Sequence, residues 1–217
     1  MFSKLQQNVS HTTRALFFAS CFAVVLDIAR VGISQKINFI FLIWNLFLAW
    51  IPYTLATMLH LDTSKRRFAL IFVPWLLFFP NAAYLITDIL HVDFRPPVPL
   101  WYDSLIFFIF GWLGIMLASI ALLRVHKYLE YNFGKIKSTI AVLGIAVITA
   151  FGIYIGRFER FNSWDVLLDP LNLFKNIISI WTEIPHTIEP LFFTGIFTLV
   201  ILCTYYVVRE VVKDTHI

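Results

Sequence analysis

Six long apolar runs, separated by short polar stretches, dominate the chain. They are Ala15–Val31, Ile37–Leu59, Phe68–Leu90, Leu100–Leu123, Ser138–Ile155 and Ile188–Val208. Each is close to the roughly 20 residues a helix needs to cross a hydrocarbon core of about 30 Å. The two-residue alternation of barrel strands is absent, and in lipid an isolated segment satisfies its backbone only as a helix. The pattern therefore predicts an all-α integral membrane protein, a six-helix bundle forming a single transmembrane domain over residues 1–217. The first run resembles a secretion signal, but five more follow it, so it is read as an anchor that stays.

A seventh periodic segment is too short to span. Asp169 and Pro170 read as N-cap and first helical residue. Leu167, Leu171, Phe174, Ile178 and Trp181 share one face, while Asp165, Asp169, Asn172, Asn176 and Glu183 share the other. A helix over about 170–183, ended by Pro185, is expected to lie in the membrane interface between the fifth and sixth spans and to roof whatever lies beneath it.

Composition agrees. Of 217 residues, 59% are hydrophobic and 23 are Phe, while only 14% are charged, against about 25% in soluble domains. Two cysteines far apart, Cys21 and Cys203, make no framework and are expected to be small buried residues. The net charge of +4 gives no sign of nucleic acid, because the basic residues fall in the loops. Eleven Lys and Arg lie on the side of the termini and six on the other, which predicts cytoplasmic N- and C-termini. Nine of the thirteen acids lie on the opposite side, where the polar chemistry is concentrated.

The third run breaks its own apolarity. In "FFPNAAYLITDILHVDF" the residues Asn81, Tyr84, Asp88 and His91 are spaced three, four and three apart, one face of an α-helix. Thr87 lies beside them. Pro80 cannot donate to the carbonyl of Leu76, so the helix should loosen there, with Asn81 satisfying a freed backbone group. Polar groups in a span commonly serve as inter-helix glue. Asp88 is the exception, since an ionisable residue in a span marks function by default. Asp88 and His91, one turn apart, are the candidate acid–base pair. The remaining histidines are scattered, so the metal signal is weak and no cofactor is indicated.

The fifth run ends "GIYIGRFERFNSWDVLLDP". Gly152 and Gly156 permit close helix approach, as do Gly111 and Gly114 in the fourth run. Arg157 and Arg160, three apart, form a candidate clamp for a phosphate or carboxylate. Arginines at a membrane interface also snorkel and pair with acids. Asn81, Tyr84, Arg157, Arg160, Asn162, Ser163, Trp164 and Asp165 are the candidate ligand-binding residues. There is no phosphate-cradling glycine loop, nucleophile elbow or HExxH, and no internal repeat to suggest a two-half transporter.

Pro80, Asn81, Tyr84, Thr87 and Asp88, with Gly156, Arg157, Phe158, Arg160, Asn162, Ser163, Trp164 and Asp165, resemble the two signature stretches of a bacterial multi-pass membrane family, domain of unknown function 1361. Ala83 stands where that family often has proline. The resemblance covers nearly the whole chain and implies a bacterial cytoplasmic membrane, with no activity attached.

The leading expectation is an extracytoplasmic polar site between the third and fifth spans that binds or processes an anionic, lipid-linked or envelope group. One alternative is a proton- or ion-coupled carrier, for which the stripe would need an inner half and only Asn45, Tyr53 and Thr57 offer one. The other is a scaffold whose polar groups pair with each other. The lipid bilayer is the one partner the sequence implies.

Overall fold

A computed structural model of the chain describes residues 2–182 and 188–214. Within them every regular element is a helix, without strands. The elements are α1 (Phe2–Ser34), α2 (Ile40–Thr57), α3 (Lys65–Tyr84), a 3₁₀ segment (Leu85–His91), α4 (Leu100–Phe133), α5 (Lys135–Phe158), the single turn α6 (Asp165–Leu168), α7 (Pro170–Thr182) and α8 (Ile188–Asp214). Six helical stretches are long and apolar enough to cross a membrane: His11–Ser34, Ile40–Thr57, Lys65–His91, Leu100–Phe133, Lys135–Phe158 and Ile188–Asp214. The expected six-span helical membrane protein is the protein's architecture.

α4 is the axis of the bundle. It packs against α1, α2, α3, the 3₁₀ segment, α5 and α8. Its 34 residues rise about 50 Å at 1.5 Å each, longer than a hydrocarbon core, so it projects from the bilayer. Around it the core is aromatic. Phe68, Phe72, Trp75 and Phe79 stack in turn along one face of α3 at centroid separations of 5.1, 5.5 and 4.4 Å, and Phe68 stacks on Tyr128 of α4 at 4.1 Å. The outer surface is equally apolar. Phe18, Leu70, Phe108, Ile136 and Phe192 are each more than 60% exposed, the pattern of a bundle solvated by lipid rather than water. Cys21 and Cys203 are also exposed, a correction to the expected burial. A small side chain suits either the lipid-facing or the inward face, and its type does not say which.

The bundle has two distinct ends. Thr13 meets Tyr53, and the Tyr128 hydroxyl donates to the carbonyl of Thr63, at the end with the basic loops. Arg30 meets Asp103, and Arg157 meets Asp88, at the other, called the acidic end below. Glycines set how closely the helices approach there. A Cβ on Gly114 of α4 would lie 2.4 Å from the carbonyl oxygen of Ala82 and 2.8 Å from Cβ of Leu85. A Cβ on Gly152 of α5 would lie 3.2 Å from Pro80. The expected close approaches at Gly111, Gly114 and Gly152 all fall on α3 and its 3₁₀ continuation, which is thereby wedged between α4 and α5, whereas Gly156 meets both Tyr84 and the carbonyl oxygen of Phe161 at an ordinary 3.5 Å.

That wedge corrects one expectation. The third span is not α-helical to its end: α-geometry stops at Tyr84 and a 3₁₀ turn carries Leu85–His91. A 3₁₀-helix repeats every three residues and eclipses i with i+3. Asp88 and His91 therefore stack in one column, and Thr87 follows Tyr84 in the next.

α7 begins as expected. Asp169 caps it, accepting from the N–H of Asn172 at 3.4 Å. Leu171, Phe174 and Ile178 are exposed, while Ile180 is buried with Tyr154 and Ile155 of α5. Asn176 donates to Glu159 at 2.7 Å. Its described contacts thus tie the helix to α5. The expected Glu183 and Pro185, and His186, lie outside the described residues.

Candidate functional site

At the acidic end, Arg157 gathers the third span's polar residues. Its Nε donates to Oγ1 of Thr87 at 3.0 Å. One Nη2 hydrogen also reaches Thr87, at 2.7 Å, and the other reaches Oδ1 of Asp88 at 2.5 Å. Nη1 donates to Nε2 of His91 at 2.7 Å. An arginine has only donors, so Nε2 of His91 is the acceptor and the imidazole is neutral, with its hydrogen on Nδ1. One Nη1 hydrogen of Arg157 remains outside these bonds. The guanidinium also lies 4.3 Å from the ring centroid of Tyr84, a cation–π contact.

Local structure explains the convergence. Arg157 is in the last turn of α5, where a cation meets the negative end of the helix dipole. The Tyr84 ring lies against Gly156 beside it, 3.5 Å from where a Cβ would be, an ordinary contact distance. The 3₁₀ turn presents Thr87 and Asp88 to the same guanidinium. Thr87 gives its own hydrogen to the carbonyl of Tyr84 at 2.6 Å, which leaves its oxygen to accept from arginine. The second Asp88 oxygen is held by Nδ2 of Asn45 of α2 at 2.9 Å. Asp88 is 1% exposed and the Arg157 side chain 9%, whereas His91 is exposed, its ring against Phe41 at 5.4 Å between centroids. The node thus joins three spans, and its most exposed member is the histidine.

The other candidates are arranged differently. Asn81 donates to the carbonyl of Phe78 at 3.1 Å, so it does bond the backbone near Pro80, and to Oγ of Ser163 at 2.8 Å. That second bond ties α3 to the chain after α5. Asp165 accepts from the N–H of Asn162 at 2.6 Å and opens the α6 turn; Trp164 sits at the cap of that turn. Arg160 does not stand beside Arg157. α5 ends at Phe158, and Arg160 takes a left-handed φ of 61°, a conformation that usually falls to glycine at a helix end. Its side chain is exposed and forms no ion pair among the described residues. The one-turn adjacency of two arginines needs a helix that the chain has already left.

Sequence reasoning missed two features. Asn45 entered only as a possible pathway residue; the signal was a lone amide in an apolar run, without an indication of which face it occupies. The second is the Arg30–Asp103 pair, bidentate at 2.7 and 2.9 Å and essentially unexposed, with Arg30 3.8 Å over the Phe39 ring. Asp27, one turn before Arg30, is 0% exposed, and neither carboxylate oxygen has a hydrogen-bond partner among the described residues. For the carrier alternative, Tyr53 turns to Thr13 of α1 at 2.7 Å and Thr57 bonds the Thr54 carbonyl of its own helix at 2.6 Å. Among the described residues, no group of three or more His, Cys, Asp or Glu is placed to hold a metal ion.

The model of one protein family, described as a protein of unknown function, DUF1361, matches residues 44–203, a stretch that contains Asn45, Asp88 and Arg157. No curated protein and no solved structure matches the chain.

Proposed function

The chain belongs to the DUF1361 family, and we propose that it binds an anionic group, a phosphate or carboxylate on a lipid-linked or envelope molecule, at the acidic end of the bundle. Arg157 is the cation that holds the anion. The eleven-to-six division of basic residues supports an extracytoplasmic position for this end in a bacterial cytoplasmic membrane.

The observation that carries the reading is the state of Arg157. It is a largely buried cation at the mouth of the bundle whose countercharge, among the described residues, is one side chain, Asp88. Asp88 then stands in for the ligand. An arriving phosphate takes the guanidinium by bidentate bonds, and the released carboxylate keeps Asn45 and takes up a proton. His91, exposed and stacked one 3₁₀ turn from Asp88, is the route for that proton. This gives Asp88 and His91 an acid–base role coupled to anion binding.

Thermal unfolding of the purified protein with and without inorganic phosphate tests it, alongside Asp88→Asn and Arg157→Gln. Asp88→Asn leaves a buried cation unpaired, so it should unfold at lower temperature and recover with phosphate. Arg157→Gln should not respond to phosphate. A second reading rests on the completeness of the node, in which Thr87, Asp88, His91 and Asn45 already satisfy each other and Arg157: a structural clip. On that reading Asp88→Asn is destabilised and phosphate restores nothing, an outcome that removes the anion site.

A further inference from the structure

At the basic end, far from Arg157, α4 and α8 part to leave a cleft of about 110 Å³. Its polar wall is His126, Lys127, Glu130, Arg209 and Lys213, and Leu123 and Val212 close its apolar side. A single water needs about 10–15 Å³ on this measure, so the cleft has room for a phosphate group and part of its hydration.

The floor is fixed by hydrogen bonds. His126 is 3% exposed and is bonded through both ring nitrogens, Nδ1 to the Tyr205 hydroxyl and Nε2 to Oγ of Ser138 at 3.3 Å. Ser138 gives its only hydrogen to the carbonyl of Lys135 at 2.9 Å, so it accepts from His126 Nε2–H and Nδ1 accepts from Tyr205. The imidazole is neutral and adds no charge.

The walls carry more positive than negative charge among the described residues. Lys213 pairs with Glu210 at 2.6 Å. Lys127 and Arg209 form no ion pair among the described residues, and Glu130 is the one carboxylate in the lining. An arginine fork and two ammonium groups around one concavity suit an anion with several oxygens. Beside the cleft, Tyr206, Val207 and Val211 of α8 are 60, 60 and 57% exposed, an apolar surface that continues toward the membrane.

We propose that this cleft binds the phosphate of an anionic lipid headgroup, with Lys127 and Arg209 as its principal cations, Lys213 at the edge, and the acyl chains lying along the exposed apolar face of α8. A basic pocket between membrane helices at headgroup depth is the setting in which such recognition occurs. The site is independent of the Arg157 node at the other end.

Native mass spectrometry of the detergent-solubilised protein titrated with phosphatidylglycerol, phosphatidylcholine and inorganic phosphate tests it. One phosphatidylglycerol should bind in preference to phosphatidylcholine. The double variant Lys127→Gln/Arg209→Gln should weaken that binding roughly 30-fold, at about fivefold per lost surface cation. The charge-conserving Lys127→Arg/Arg209→Lys should retain it, which separates charge loss from misfolding, and Arg157→Gln should leave it unchanged. If inorganic phosphate alone competes away the lipid at similar concentration, the anion site stands and its ligand is a free phosphate group. Equal binding of the two lipids, or undiminished binding by the double glutamine variant, overturns the proposal.

Discussion

Nη2 of Arg157 lies 2.5 Å from Oδ1 of Asp88, and the pair closes the acidic end of the bundle across 69 residues of sequence. One partner is the last turn of α5 and the other a 3₁₀ turn wedged against α4. The geometry depends on the arginine fork as much as on its charge, because the same guanidinium also serves Thr87 and His91.

Arg157→Lys keeps the charge and loses the fork. An ammonium on a flexible stem cannot meet Thr87, Asp88 and His91 together in this arrangement. The expected cost is about 1.5–3 kcal/mol, that of a lost charged hydrogen bond, read as a lower unfolding midpoint in detergent. A midpoint equal to wild type would mean that the charge alone holds the node.

Asn45→Leu removes the amide on the second oxygen of Asp88 and leaves a buried acceptor unsatisfied, at about 1–3 kcal/mol. The double variant Asn45→Leu/Asp88→Leu should cost less than the sum of the two single changes, because partners on one network are not additive. A double-mutant cycle in thermal unfolding reads the coupling, and strict additivity would place Asn45 outside the node.

Asp27 and Asp103 should part company. Asp103→Asn strands the buried Arg30 and is expected to cost about 3–5 kcal/mol. Asp27→Asn replaces a carboxylate that has no hydrogen-bond partner among the described residues with a neutral group of the same shape, so stability should hold or rise. Folded yield in membranes and the unfolding midpoint compare the two directly.

Gly114→Ala and Gly144→Ala form a matched pair on neighbouring helices. An added methyl at Gly114 meets the Ala82 carbonyl oxygen at 2.4 Å, whereas at Gly144 nothing lies within 4 Å. Overpacking should cost the first about 1–3 kcal/mol, and better helix propensity should leave the second neutral or up to about 1 kcal/mol more stable. Similar midpoints for both would remove the wedge between α4 and α5.

The proposed sidedness rests on charge alone and is tested alone. A reporter fused after Ile217 that is active only in the cytoplasm should be active, and one inserted at Arg95–Val98 should not. The reverse result would place the Arg157 node on the cytoplasmic side and the basic cleft outside.

The sequence by itself determined the class of object. Six apolar runs of membrane length leave no backbone solution but helices, and the Asp169–Pro170 pair marks the start of α7 because capping chemistry is local. Glycine spacing likewise marked where helices approach, since a missing side chain is a local property. The sequence also picked out Asp88, His91 and Arg157, for polar groups in such runs are few. What it could not supply was pairing. The offsets along the third span assume α-geometry, but packing against Gly111 and Gly114 goes with a tighter 3₁₀ turn that puts Thr87 and Asp88 on one arginine. Arg160, three residues from Arg157, is sent elsewhere because the helix ends between them. Asn45, Asp103 and Tyr205 found their partners 43, 73 and 79 residues away. Those contacts depend on how helices rotate and cross, which is settled by packing summed over the whole bundle and carried by no short stretch of chain.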